Sequence, residues 1–277
     1  MARTTTGTAE ASLTAALQPV IRDLVSDMRT RLTENEVRLQ SWQTEHAQAQ
    51  AADRVGTSFE EWSEEQLQQA AAGWVLTTVF LRFIEDNDLF GPRRVFLTGF
   101  DAERRGLGRD YEAALYQEHP EYSYRAYLQH CFNQLTDVPA TKDLVGPHAT
   151  IHIIAPSDDA ARGLIEFFRQ LDGDENTRWT FNDENLSTRF LGDLYQDLSE
   201  YAQKKWALKQ TPDFVEEFIL DRTLTPALEE RPLEGFKIID PTCGSGHFLL
   251  GAFHRLVDRW EKYSPAMPAP ERAAKAM

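Results

Sequence analysis

Cysteine is nearly missing from this chain: Cys131 and Cys243 are its two in 277 residues. That excludes a disulfide framework and any zinc site built on paired cysteines. Sparse thiols suit a reducing compartment, so a cytoplasmic location is expected. Long apolar runs are also lacking. The longest, from Trp74 to Ile84, contains threonines and an arginine. It falls short of the roughly 20 residues needed to cross a bilayer, so no membrane partner is expected. The N-terminal Met-Ala-Arg-Thr-Thr-Thr has no apolar core of a signal peptide. Basic excess is absent as well, with 29 Lys and Arg against 44 Asp and Glu, a net charge of −15. That balance is a poor overall match to a polyanion, though it leaves room for a local basic face, and acidic surfaces are mostly just solvated.

What is present is mostly helical pattern. Leu13, Leu17, Val20, Ile21, Leu24 and Met28 recur at helical spacing from about Ala9. The pattern predicts one amphipathic helix running past Leu39 toward Ala47. Ser58 with Glu61 reads as a capping box. It opens a helix through Leu67, Ala71, Trp74, Val75, Phe80, Leu81 and Ile84 whose last turns are apolar nearly all round, the expected centre of a bundle. Gly91-Pro92 ends it. Arg93, Arg94, Arg104, Arg105 and Arg109 then form a basic patch with Asp101, Glu103 and Asp110 interleaved. A solvated loop is the expectation over a phosphate-contacting one. Tyr111, Tyr116, Tyr122, Tyr124, Tyr127 and Phe132 have few basic neighbours and read as core, not as a base-stacking platform. Residues 150–154 read as a short strand or a buried connector. Pro156-Ser157-Asp158 caps a helix through Leu164, Ile165, Phe168 and Leu171.

Two metal patterns fail on inspection. His148 and His152 are four apart, but Pro147 and β-branched neighbours argue against the helix that would bring them together. Asp172, Asp174 and Asn176 imitate a calcium loop, yet Thr177 stands where that loop requires glycine. No metal site is expected. Residues 172–177 read instead as a linker between two domains, 1–185 and 186–277.

The most informative stretch lies in the second domain. Phe236-Lys-Ile-Ile-Asp240 is a short apolar run ending in an acid. Pro241-Thr242-Cys243-Gly244-Ser245-Gly246 follows, and then the helical pattern His247-Phe248-Leu249-Leu250. Glycine lets backbone approach a ligand closely and tolerates positive φ. This is no phosphate-binding P-loop, which needs Lys after its last glycine, where His247 stands. The order predicts a buried strand, a glycine turn with Cys243 as a small buried spacer, and a helix beginning near Gly246. The tail from Ser264 reads as a loop or linker.

Asp240 through Gly246 resembles motif I of S-adenosylmethionine-dependent methyltransferases that act on the exocyclic amine of adenine. Upstream, Thr211-Pro212-Asp213-Phe214-Val215 resembles the Thr-Pro-x-x-Val segment of enzymes similar to type I modification subunits, with Gln210 where an aromatic is common. Phe190-Leu191-Gly192-Asp193-Leu194-Tyr195 resembles the lead-in to that region. Leu81-Arg-Phe-Ile-Glu-Asp-Asn-Asp-Leu89 resembles a segment of the helical N-terminal regions of related enzymes. His247-Phe248 after the turn is similar to the PglX group of phage-defence methyltransferases (BREX and phage growth limitation systems).

The resemblance implies a mainly α chain: a helical domain leading into the opening strand and helices of a Rossmann-like methyltransferase domain. It implies S-adenosylmethionine as cofactor, held by Thr211, Pro212, Asp240, Pro241, Thr242, Gly244, Ser245 and Gly246. It implies adenine methylation of DNA in phage defence or restriction-modification, with DNA bound mainly through regions beyond this chain and other defence proteins as possible partners. The (Asn/Asp/Ser)-Pro-Pro-aromatic motif that holds the flipped base does not occur in the sequence and is expected beyond Met277. No catalytic residue is therefore assigned, and the chain alone is expected to be inactive. Two rival readings stand beside this one: a non-catalytic helical interaction module of a defence complex, and a methyltransferase with a non-DNA acceptor.

Overall fold

The computed structural model describes residues 6–137, 141–173, 175–182, 190, 194, 198, 211–243 and 246–277. It divides into two compact units, residues 1–208 and 209–277. The fold is mainly α. Among the described residues there is no strand, only an isolated antiparallel bridge between Leu171 and Thr177.

In the first unit the long opening helix is broken. Helix α1 spans Thr6–Glu34 and α2 spans Glu36–Ala51. Asn35 separates them, because its side chain accepts from Arg38 N and so caps α2. Asn competes for backbone in this way, which makes it a cap before it is a helix interior. Helix α3 (Phe59–Asp86) carries the expected capping box between Ser58 and Glu61. It packs on α1, α2 and α5, and Trp74, Val75, Val79 and Leu81 are fully buried in it. Helices α4 (Ala102–Glu118), α5 (Tyr124–Asn133) and α6 (Asp158–Phe168) follow, each capped by the side chain before it: Asp101, Ser123 and Ser157. Residues 150–152 are a 3-10 turn, the buried connector and not the strand. Trp74 donates Nε1–H to the carbonyl of Ile151 at 3.1 Å, and a Cβ at Gly73 would overlap the Thr150 side chain.

Most of the aromatic set is core, but Tyr124 is exposed with Arg162 over its ring. Tyr127 and Phe132 are buried, and Tyr111, Tyr116 and Tyr122 pack against the same cluster. Three arginines of the patch pair with acids, and Arg104, Arg105 and Arg109 stand on α4 and not in the expected loop. Arg93 pairs with Glu103 at 2.5 Å, Arg94 with Asp137 at 3.4 Å, and Arg104 with Asp88 and Asp101 at 2.5 and 2.9 Å. Arg105 bonds Thr177 Oγ1 and the Glu175 carbonyl.

Between α3 and α4 lies a buried irregular segment, Val95–Gly99, and side chains satisfy its backbone. Glu85 Oε1 accepts from the N–H of both Phe96 and Leu97 at 2.7 Å. Tyr127 Oη donates to the Phe96 carbonyl at 2.6 Å, and Arg169 donates to the Leu97 carbonyl at 3.0 Å. Arg82 donates to the Thr98 carbonyl and pairs with Glu85 and Asp86. Thr177 Oγ1 donates to the Gly99 carbonyl at 2.7 Å. Buried backbone outside helix or sheet must find such partners, and the Arg82-Phe83-Ile84-Glu85-Asp86 run of α3 supplies many of them.

The linker reading of residues 172–177 is corrected. Asp172 Oδ1 accepts from Asn176 N, and the Asp172 N–H reaches the Asn176 carbonyl, closing a tight turn. Thr177, Trp179 and Phe181 behind it are buried with the first unit, as are Leu194 and Leu198. The compact unit therefore extends past residue 185, because these apolar side chains need the helical core.

The second unit holds α7 (Asp213–Glu230), α8 (His247–Tyr263) and α9 (Ala269–Ala276). Its own core joins Leu220, Leu224, Leu228, Leu233, Ala252, Leu256 and Trp260. The tail, expected as a loop, contains α9, which corrects that reading. Pro268 and Pro270 suit a helix start, where no N–H is needed, and Arg272 pairs with Glu261 of α8. Met277, beyond which the base-holding motif is expected, follows α9 directly. Its N–H still bonds the Ala273 carbonyl at 3.2 Å, while its side chain is exposed. The last residue therefore belongs to the end of a helix and not to a linker.

Candidate functional site

The expected strand at 236–240 is a further correction: no strand is formed there among the described residues. A strand exists through its ladder, and no described segment pairs with this one. Ile238 and Ile239 are consequently exposed, Ile239 by 85%. The turn after it is well organised. Asp240 Oδ1 accepts from Thr242 N at 3.1 Å, Thr242 Oγ1 at 3.1 Å and Cys243 N at 2.9 Å. The acid thus orders its own loop, as Asp does at turns. The Gly246 N–H reaches the Cys243 carbonyl at 2.9 Å. Cys243 is exposed with φ +35°, not the buried spacer expected, because it stands on the outside of the turn.

Helix α8 begins where the sequence predicts. Gly246 is its N-cap at φ +82°, a left-handed conformation natural to glycine. Among the described residues, no atom beyond the neighbouring chain lies within 4 Å of where a Cβ would be, so there is open space beside this backbone. Gly244 and Ser245 lie outside the described residues, as does Gln210.

Contacts between α7 and α8 fix how the two motifs relate. Gly251 lies against Glu216 and Leu220. Arg255 donates to Asp221 Oδ1 at 2.5 Å and Thr225 Oγ1 at 3.0 Å. Arg259 reaches the Leu228 carbonyl at 3.4 Å. Partners advance together along both helices, so α7 and α8 are parallel. The same register brings the Gly246 end of α8 level with the first turn of α7, which Thr211 and Pro212 precede. Two positive helix ends and both sequence motifs share one end of this pair. Residues 231–243 carry the chain back along it without forming a strand.

Pattern reading missed Glu216 and Gly251. A signal existed for each: an acid in the 216, 220, 224, 228 stripe of leucines, and a glycine inside a helical pattern. Elsewhere, a cleft of about 290 Å³ beside α1 and α3 is lined by Gln18, Arg22, Arg29 and Glu64. Its Arg29 is already paired to Glu64 at 2.6 Å. His152 Nε2 is bonded to the Val145 carbonyl at 3.1 Å. Among the described residues no helix is long and apolar enough to cross a membrane.

Comparison with curated proteins decides the kinship. The chain is 43% identical over 241 residues to an adenine-specific methyltransferase, PglX, of Streptomyces coelicolor. This chain is a relative of part of PglX. The match takes in 84% of the chain and 20% of PglX, so the chain spans about a fifth of that relative's length. No protein-family model matches it, and no solved structure does.

Proposed function

We propose that this chain forms the helical region and the opening of the cofactor-binding region of an adenine-specific DNA methyltransferase acting in phage defence. The observation that carries the reading is the Asp240-ordered turn, closing on a left-handed Gly246 at the end of α8 that lies level with the start of α7. The 43% identity to PglX supports it independently.

The residues suit S-adenosylmethionine. Open space beside Gly246 lets a ligand approach the backbone closely, and the positive ends of two parallel helices favour its carboxylate. Asp240 holds the turn in shape. Thr211, Pro212, Pro241 and Thr242, with Gly244 and Ser245, complete the proposed contact set. When bound, the cofactor supplies an electrophilic methyl group. This chain's part is to hold and orient that group. Holding the flipped adenine belongs, in this reading, to residues beyond Met277, so the chain alone is proposed to be inactive on DNA.

The test is calorimetry with S-adenosylmethionine on a full-length enzyme that carries this region. Asp240→Ala and Gly246→Val should each weaken binding about tenfold or more, through lost loop bonds and a strained φ. Unchanged affinity in both variants would place the cofactor elsewhere.

A further inference from the structure

The apolar seam between α7 and α8 contains a buried acid. Glu216 is only 8% exposed and lies beside Leu220 and Gly251. Burying a carboxylate in such a place is costly unless it is compensated. Its position contributes to that compensation: Glu216 lies in the first turns of α7, at the end where both helix dipoles are positive. Opposite it stands Gly251. A Cβ there would overlap Glu216 Oε1 and lie 2.7 Å from Leu220 Cδ1. Glycine inside a helix is about 1 kcal/mol worse than alanine, so here the close approach outweighs helix propensity. Gly251 is one helical turn beyond the Gly246 cap. Any displacement of α8 at this point moves the turn.

We propose that Glu216 and Gly251 act together as a positioning pair, seating the N-terminal end of α8 against α7 and so aiming the turn that runs from Asp240 to Gly246. The consequence for cofactor binding rests on the function proposed above; the geometry does not. Glu216 is a positioning residue, acting through the turn and not on the reacting atoms.

Cys243 provides the readout, because it is the exposed thiol in the turn while Cys131 is buried in the other unit. Iodoacetamide labelling of the 277-residue chain, followed by peptide mass spectrometry, reports each thiol separately. Glu216→Ala and Gly251→Ala should each change the Cys243 labelling rate by about threefold or more, through local loosening of the turn, while Cys131 stays protected. The double variant should change it by less than the product of the two single effects, since removing the Glu216 side chain makes room for the new Cβ. Unchanged Cys243 labelling in Glu216→Ala, or effects that simply multiply, would overturn the proposal. If Gly251→Ala fails to fold, Glu216→Ala decides alone, since it only removes atoms. Calorimetry with S-adenosylmethionine on the full-length enzyme separates the two ideas. Altered Cys243 labelling with no cofactor binding to the wild type would sink the proposed function and leave the positioning pair standing.

Discussion

Two irregular segments of this protein are near opposites. Val95–Gly99 is buried, and its backbone is held by Glu85, Arg82, Tyr127, Arg169 and Thr177 from elsewhere in the first unit. Residues 237–243 are largely exposed, and the hydrogen bonds that order them come from their own Asp240. The first segment is fixed by long-range contacts whose loss must disturb the whole helical unit. The second is fixed by a local turn that can be altered with little cost to the core. A framework and an exposed surface loop are expected to differ in this way.

Removing Arg82 is the most direct challenge to the contrast. Arg82, Glu85 and Asp86 are fully enclosed. Arg82→Ala leaves two buried carboxyl groups without their cation and the Thr98 carbonyl without its donor. A loss of about 3–5 kcal/mol is expected from an uncompensated buried charge. Urea denaturation should show the helical unit failing while the far-UV signal of α7 and α8 persists. A loss below about 1 kcal/mol would mean that the ion cluster is not what holds Val95–Gly99.

A pH series probes the same buried cluster. Burial pushes the Glu85 carboxyl up to about 7, against the lowering effects of Arg82 and the N–H groups of Leu97 and Phe96. Burial raises Asp86 as well. A raised carboxyl means that the folded state binds its proton more tightly than the unfolded chain. The Glu85 contribution is therefore full below about pH 4.5 and declines as pH rises toward about 7. The difference in urea midpoint between wild type and Glu85→Gln should move in favour of the variant across that window and stay level above it. A flat difference from pH 4 to 8 would contradict the assignment.

Asp240→Ala tests the other segment. Three bonds onto one carboxylate oxygen are lost, but all are exposed. A cost near 1 kcal/mol is expected in the second unit and none in the first. Thermal unfolding should show the first unit's transition unmoved.

Legibility in the sequence followed the range of the interactions. The capping box at Ser58 and Glu61, the cap at Ser157 and the start of α8 at Gly246 were readable because a few neighbouring residues decide them. Asn35 was overlooked because apolar spacing continues across it while its side chain caps the next helix. The partners of Val95–Gly99 are 11 or more residues away in sequence, so no local pattern announces them. The run 236–240 looks like a strand by composition, yet pairing makes a strand and composition cannot supply a neighbour. In the candidate site, Asp240 and Gly246 were legible as turn residues. Glu216 and Gly251 were not, since their meaning lies in a parallel helix contact.

The smallest expected effect lies at Ile239. An isoleucine at the end of an apolar run would ordinarily be core, and truncating one there costs about 2–5 kcal/mol. Here the side chain is 85% exposed and outside the cluster formed by Leu220, Leu256 and Trp260. Replacing it with threonine keeps the β-branch and adds a hydroxyl that water can solvate. Ile239→Thr in the 277-residue chain should therefore change stability by no more than about 0.5 kcal/mol, the range of surface substitutions. Ile151→Thr, at a position 5% exposed in the helical unit, is the matched control and should cost several times more. Comparing the two by urea denaturation isolates burial from side-chain chemistry. An equal loss in both would show that 236–240 is packed as tightly as the helical core, and the contrast between the two segments would fail.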